Sequence, residues 1–376
     1  MNKLIDCKVV FGNYKEDHLS QIIAGYELLK QQKKIKLKVE FNPDYIKKKY
    51  IHSATIEVRI NDEYIICYDL ADGYQSFHNM DNFDSILENI DFYFKRSSND
   101  FENRTLKNKS KIKPLGLNYP VSCRNNYYDK YHENPENKVQ YIKNYYKYLR
   151  YYKRFQSNYF YNKFENTPNK LDTNYKLLYN VRLYNPDQIK LFNIQKAYPT
   201  LSEIGAKQVF EKWRNDLSLI TKQRIEIVKT LKDNFEDKFI GGVLEDDYSI
   251  KVAKDLILPN DLYNKNNFMK MIKENYVSIT SVGLHGSIGW KFGESVAASR
   301  AILTDSLQYD LPGNFKENTN YLVYNNSNEL IDNAKNLIEN PNLIHEIEKN
   351  NFEYYNHFVR PDKMISNTLH YLGFDI

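Results

Sequence analysis

The sequence predicts an α/β protein of two domains built on largely parallel sheets, and three observations carry that expectation. A chain of 376 residues is long enough for two cores of ordinary size. Near its start, strand-like and helix-like segments alternate. Lys8 to Gly12 reads as a strand ending in a glycine turn, His18 to Gln32 as an amphipathic helix with Leu19, Ile22, Ile23, Tyr26 and Leu29 on its apolar face, and Ile35 to Phe41 as a second strand. Strand and helix alternating at that spacing favour a sheet that is parallel in its main part. Much later, Tyr276 to Thr280 has strand composition, Gly283, Gly286 and Gly289 interrupt the pattern, and helical spacing then resumes.

Composition narrows the class. With 41% hydrophobic and 27% charged residues the chain reads as globular rather than disordered. Its net charge of +5, from 53 basic and 48 acidic residues, gives no field that argues for nucleic acid, and the 33 tyrosines read as genome composition. Cys7, Cys67 and Cys123 are odd in number and far apart, which suits neither a disulfide framework nor a zinc site, so a reducing cytoplasm is expected. Asp6 and Lys8 fall where a signal peptide would be apolar, and no apolar run approaches the ~18 residues of a membrane span.

Within the first half, Ala54 to Ile60 and Tyr64 to Tyr68 flank Asn61-Asp62 and predict a β-hairpin. The strand then runs into Asp69-Leu70-Ala71-Asp72-Gly73. Ligands of open α/β sheets sit outside the carboxyl ends of strands, so Asp69 and Asp72 are candidates to face a cleft, one of them as base or acceptor ligand. The other reading is a turn for which Asp72-Gly73 supplies the geometry. Asp91 to Ser97 and Lys113 to Tyr119 read as the last strands of this domain, with Lys95 and Arg96 either meeting an anionic acceptor or solvated at a strand end.

Residues 127–161 are rich in Tyr, Lys and Arg. They fit a surface for single-stranded nucleic acid or an anionic membrane, or a packed helix burying Ile142, Tyr145, Leu149 and Tyr152. Asn166 to Asn169 reads as a linker. Tyr175 to Tyr184 would open the second domain, Leu217 to Phe235 would be its long helix carrying Arg224, and Lys238 to Val243 the next strand. Asn320 to Tyr324 reads as a strand, Ser327 to Glu339 as a helix, and Asn350 to Leu372 as a helical region interrupted by Pro361.

The central stretch carries the chemistry. A helix from Ser287 to Ser299 would set Ile288, Phe292 and Val296 on an apolar stripe beside Ser287, Lys291 and Glu294. Unpaired N–H groups at a helix start carry partial positive charge, so a glycine turn feeding that start suits a phosphate, and Lys291 adds a full charge. Gly293 costs about 1 kcal/mol relative to alanine inside a helix, which implies a close approach there or tight packing on a neighbour.

The run Gly283 to Leu303, with Glu294 in a Glu-Ala-x-Ala-like context, resembles the donor-binding segment of GT-B fold glycosyltransferases. The resemblance implies two Rossmann-like domains facing a central cleft: an acceptor-side domain over 1–168, a nucleotide-sugar donor domain over 169–350, and a C-terminal helix over 351–376 that crosses back to the first. It implies a cytoplasmic, bacterial hexosyltransferase-type enzyme that moves a sugar from a UDP or GDP sugar to an acceptor hydroxyl on a protein, glycan or other cell-surface component. Glu294 is the match to the residue that binds the ribose hydroxyls. Tyr175 to Tyr184 resembles the first donor-domain strand, whose final Arg meets the diphosphate, and that match is Arg182. Gly286, Ser287 and Lys291 complete the expected donor site, with Asp69, Asp72 and His285 as catalytic candidates. Many retaining members have a second Glu where this chain has Gly286, which leaves retention or inversion open.

No two aspartates here have the Asp-x-Asp spacing that holds a divalent metal on a diphosphate, so no metal and no cofactor is expected. The alternative is a sugar-nucleotide or nucleic-acid binding module without turnover. The intact Arg182, Lys291 and Glu294 speak against the first form and the modest net charge against the second.

Overall fold

The computed structural model describes residues 4–13, 17–50, 52–74, 80–127, 139, 142–143, 145–146, 159–170, 174–197, 202–259, 262, 264–274 and 276–376. The Tyr- and Lys-rich segment 127–161, with its possible membrane contact, lies mostly outside them.

Two sheets organise the chain. The first contains β1 (Ile5–Phe11), β2 (Ile35–Phe41), β3 (Thr55–Ile60), β4 (Tyr64–Asp69), β5 (Phe92–Lys95) and β6 (Ile112–Pro114), in the order β2-β1-β3-β4-β5-β6. β3 runs antiparallel to both neighbours and the other pairs are parallel. The expected hairpin joins β3 to β4 through Asn61 and Asp62 at φ 55° and 57°. These are residue types that tolerate the left-handed region a tight hairpin demands.

The second sheet contains β7 (Lys176–Val181), β8 (Phe239–Val243), β9 (Tyr276–Ile279), β10 (Ile302–Thr304) and β11 (Leu322–Val323), ordered β11-β10-β9-β7-β8 and parallel throughout. All four residues of β9 are buried, as expected for a strand covered on both faces. The chain winds one way from β7 to β8 and the other way from β9 onward. That reversal opens a crevice beyond the carboxyl ends of β7 and β9, where open α/β sheets bind ligands. Two α/β domains facing one cleft are the architecture expected of the GT-B fold.

The helices used below are α1 (Ser20–Gln31), α2 (Glu203–Phe235), α3 (Trp290–Ala297), α4 (Ser327–Glu339), α5 (Pro341–Tyr354) and α6 (Pro361–His370). Two differ instructively from expectation. α2 begins at Glu203 rather than Leu217, with Ser202 capping the Gly205 amide at 3.1 Å. Its first turns bury only Ala206 before Leu217, so no apolar stripe marks them in the sequence. α3 starts at Trp290 rather than Ser287, because Ser287 and Gly289 are extended, at ψ 142° and 159°, and helical dihedrals begin only after them.

The chain returns to the first domain at its end. Arg360 is extended, as the residue before a proline prefers, and Pro361 starts α6. α6 lies on α1: Gln21 Nε2 donates to the Val359 carbonyl at 2.8 Å, and the Tyr68 and Thr368 hydroxyls meet at 2.6 Å. Gly25 makes the approach possible, since a Cβ there would meet the Pro361 carbonyl and the Ile365 side chain. Gly25→Val is therefore expected to lower stability by about 1–3 kcal/mol, measured by urea unfolding, despite the helix-propensity gain.

A shared core joins the domains. Leu117, Tyr119 and Val121 of the first pack with Phe268, Phe292, Val296 and Tyr355 of the second. Gly293 allows this: its Cβ would sit 3.1 Å from the Asn118 carbonyl oxygen, so the glycine inside α3 serves close packing against the other domain. Arg300, fully buried, ties down the connecting segment through the Thr167 carbonyl at 2.9 Å and pairs with Glu348 at 2.8 Å. Among the described residues no helix is long and apolar enough to cross a membrane.

Candidate functional site

A cavity of about 410 Å³ occupies the crevice beyond β7 and β9. The second domain supplies most of its wall. Asn180 to Arg182 come from the end of β7, Thr280 to Gly283 from the end of β9, and Ser287 to Phe292 from the glycine turn and the start of α3. His18, Asp72 and Arg96 close it from the first domain.

Charge is distributed unevenly. Arg96, Arg182, Arg224 and Lys291 line the cavity against the carboxylate of Asp72. Arg182 is exposed, and no hydrogen bond or ion pair of its guanidinium is found among the described residues. Arg224, on α2, donates to the Arg182 carbonyl at 2.7 Å and lies over the Tyr184 ring at 4.7 Å. Its second guanidinium nitrogen reaches toward the Val282 carbonyl at 3.5 Å, so it braces the ends of β7 and β9 together.

Lys291 is the second residue of α3, and its ammonium donates to the Asn180 carbonyl while sitting 5.3 Å over the Phe268 ring. Burial pushes its pKa down to about 7; Glu294 opposes that, and Lys265, Arg224 and Arg182 add to it. A lysine held there is half charged near neutrality and gains its proton fully when an anion approaches. Three further polar groups in the same wall are buried without a hydrogen-bond partner among the described residues: both ends of the Asn180 amide, the Thr280 hydroxyl and the Arg224 Nε. Buried polar atoms are nearly always satisfied, so this cluster of exceptions beside the cationic cavity is hydrogen-bonding capacity that the described residues leave unfilled.

The loop between β9 and α3 is held rigid. Asp305 accepts from the Val282 amide at 2.9 Å and from Gln223 at 3.1 Å, and the Gly283 amide donates to the Ser287 carbonyl at 2.7 Å. Gly289 caps α3 without a side chain, so the first amides of that helix have no capping side chain among the described residues.

His18 links the domains. Its Nδ1 accepts from the Trp290 indole at 2.9 Å and lies 3.0 Å from an Arg96 nitrogen. Asn118 Oδ1 is 2.8 Å from the same nitrogen and could pair with it only if Nδ1 were protonated; two obligate donors favour the proton on Nε2. Burial, reinforced by the Arg96 charge, pushes the His18 pKa down to about 3, so the ring is neutral at physiological pH.

The expected site residues divide into four groups. Arg182, Ser287 and Lys291 line this cavity together with Asp72, whose carboxylate pairs with Arg96. His285 and Gly286 line an adjacent cavity instead, where burial and then Lys212 push the His285 pKa down to about 4. Glu294 is buried one turn beyond Lys291, paired with Lys265, and is not part of the wall of either cavity.

Asp69 requires a correction. It is fully buried rather than facing the cleft, bonded by Lys95 at 2.8 Å, Tyr93 at 2.9 Å, His52 at 3.1 Å and the Ala71 amide at 2.9 Å. Burial alone would raise its pKa, but Lys95 and His52 outweigh that and hold the carboxyl far below the usual range. It is the anchor of a sealed network at the end of β4, and Lys95 is likewise buried rather than solvated. Sequence reasoning assigned no site role to His18, Asn180, Arg224 or Trp290. Arg224 left a signal, since it falls among Ile220, Ile227, Val228 and Leu231 on the buried face of α2, where a charge needs a reason.

No family model and no curated protein matches the chain. Among solved structures it is similar to Anabaena HepE in complex with UDP, at 10% identity over 97% of this chain and 98% of that one, with a TM-score of 0.40. It is also similar to a mutant of S. aureus TarM in complex with fondaparinux, alpha-GlcNAc-glycerol and UDP, at 14% identity over 77% of this chain and 46% of that one, TM-score 0.38. A third similarity is to the C-terminal domain of the glycosyl transferase group 1 family protein LpcC from Francisella tularensis, at 13% identity over 52% of this chain and 95% of that domain, TM-score 0.31.

Proposed function

We propose that the chain is a glycosyltransferase that moves a sugar from a nucleoside diphosphate sugar, with UDP or GDP as the leaving group, to an acceptor hydroxyl. The observation that carries this is the convergence of Arg182, Arg224, Lys291 and the start of α3 on one cavity at the switch point of the second sheet. It agrees with the resemblance of the segment 283–303 to a donor site. The reaction breaks the bond between the sugar and the diphosphate and forms one from the same carbon to the acceptor oxygen, whose proton leaves with the diphosphate or to solvent, so negative charge grows on the leaving group in the transition state. Cations and helix amides fixed around that position stabilise it with no covalent catalyst. They also supply the electrostatic work that a divalent metal does elsewhere, so transfer is proposed to be metal-independent.

Each side chain then has a role. Arg182 meets the diphosphate from its exposed position just past β7, Arg224 fixes the two strand ends that frame it, and Lys291 neutralises the oxygen that leaves. The neutral His18, tied to Trp290, holds the two domains together at the cavity wall. Asp72 holds Arg96 against the cavity. Glu294 exchanges Lys265 for the ribose hydroxyls when nucleotide binds, so Glu294→Ala should weaken nucleotide binding by about 1.5–3 kcal/mol, measured by calorimetry. A hexosyl donor and a cytoplasmic, bacterial setting belong to the same reading.

A thermal-shift panel of nucleosides, nucleoside monophosphates and diphosphates, and UDP and GDP sugars tests it. One diphosphate series should stabilise the protein by about 2.7 kcal/mol when present at 100 times its dissociation constant. Stabilisation by no member, or by nucleosides as strongly as by their diphosphates, would remove the reading. Binding without release of sugar from any donor would favour the non-catalytic module.

A further inference from the structure

A second cavity, of about 680 Å³, adjoins the first. The same segments flank both. Asp72, Arg96 and Leu307 face the first cavity, and Tyr74, Asn99, Gln308 and Tyr309 a few residues on face the second. Val282 and Gly283 belong to both walls. α2 runs alongside the pair: Lys212, Asp216 and Ile220 line the second cavity and Arg224 the first, at successive four-residue intervals on one helix face. By helix rise those positions span about 18 Å. The two cavities are thus consecutive reaches of one interdomain groove.

Their chemistry differs. The first gathers cations around one carboxylate. The second sets Glu102 and Asp216 against Lys212, with a neutral His285, two amides and two tyrosines. Trp213 stands edge-on to the His285 ring at 5.1 Å. Both domains are clasped beside this cavity: the Asp310 amide donates to the Ser98 carbonyl at 2.8 Å, the Asp100 amide to the Asp310 carboxylate at 2.9 Å, and Asn99 Nδ2 to the Gln308 carbonyl at 2.7 Å. Charge balance disfavours a phosphorylated or sulfated ligand here. Two carboxylates, a lysine and the Gln308 amide beside two tyrosine rings instead suit a ring that is apolar above and below and hydroxylated at its edge.

We propose that this second cavity binds the acceptor and that the acceptor is a neutral saccharide chain, laid along α2 with its reacting hydroxyl directed past Gly283 into the first cavity. The assignment rests on the glycosyltransferase reading and adds the acceptor's chemical class and place. His285, expected as a catalytic candidate, and Gly286, expected in the donor site, become part of the acceptor wall.

The test uses the full chain and Leu219→Trp, which fills the cavity from a residue that is 54% exposed and so spares the core. Glu102→Ala joined to Asp216→Ala removes the carboxylates without adding bulk. Binding of maltotetraose, cellotetraose, chitotetraose and a sulfated tetrasaccharide is followed by saturation-transfer NMR and calorimetry, with UDP and GDP titrated in parallel. At least one neutral tetrasaccharide should bind, and both variants should weaken it at least tenfold while the nucleotide keeps its wild-type affinity. The proposal is overturned if no neutral tetrasaccharide binds a protein that binds nucleotide, if the sulfated one binds more tightly, or if neither variant weakens the saccharide. Saccharide binding lost in the variants of a protein that binds neither nucleotide would uphold the saccharide site and count against the donor reading.

Discussion

Arg182→Ala should lower sugar transfer by about 10²–10³-fold while leaving the fold intact. The side chain is exposed at the cavity mouth and holds up nothing else among the described residues, so its removal costs little stability. Its expected contribution is a charge-assisted, bidentate contact to the departing diphosphate, and removing one such preorganised donor costs about 2.7–4 kcal/mol of transition-state stabilisation. The loss should fall more on kcat than on affinity for the bare nucleoside, because the leaving group is most negative in the transition state. Arg182→Lys should recover only part of it, since an ammonium cannot repeat the planar fork. Steady-state kinetics with a saturating donor, beside a thermal melt, checks both halves; wild-type turnover in a folded Arg182→Ala would remove Arg182 from the site.

Lys291 carries the second large effect, visible as a pH dependence. Its folded pKa is pushed down to about 7 by burial, so in the free protein the charge is present below that pH and fades above it. Affinity for a nucleoside diphosphate should therefore be highest near pH 6 and fall as pH rises through 7 to 8, by about 10-fold or more overall. Bound phosphate raises the lysine pKa, so the decline extends above 7. The nucleotide's terminal phosphate itself titrates near pH 6, and comparing Lys291→Met at each pH cancels that contribution. The methionine variant should bind weakly at every pH, approaching the wild type only at the alkaline end. Parallel wild-type and Lys291→Met profiles from pH 6 to 9 would show that this lysine does not meet the anion.

Much of the frame was legible because it is local. β2 and α4 fall on the residues expected, and the Asn61-Asp62 hairpin follows from turn chemistry alone. The cationic wall was partly legible too, through Arg182 and Lys291. What escaped depends on contacts between distant residues. His18 meets Trp290 across 272 positions, and neither residue has neighbours that announce the pairing. Asp69 and Asp72 look alike in sequence, yet one ends buried beside Lys95 because β5 pairs with β4, and the other stays at the cleft. The glycines were ambiguous for the same reason: Gly293 serves the Asn118 carbonyl of the other domain, whereas Gly286 supplies a left-handed turn.

On the proposed reading, the cavity beyond β7 and β9 expels a nucleoside diphosphate from a sugar donor without a metal. The most direct measurement is the release of UDP or GDP from UDP-glucose, UDP-N-acetylglucosamine and GDP-mannose by the purified chain in excess EDTA, with and without a neutral oligosaccharide. The account predicts release from at least one donor, undiminished by the chelator and lost in Arg182→Ala. Release that vanishes in EDTA and returns with Mg or Mn, or no release from a donor that binds, would contradict it.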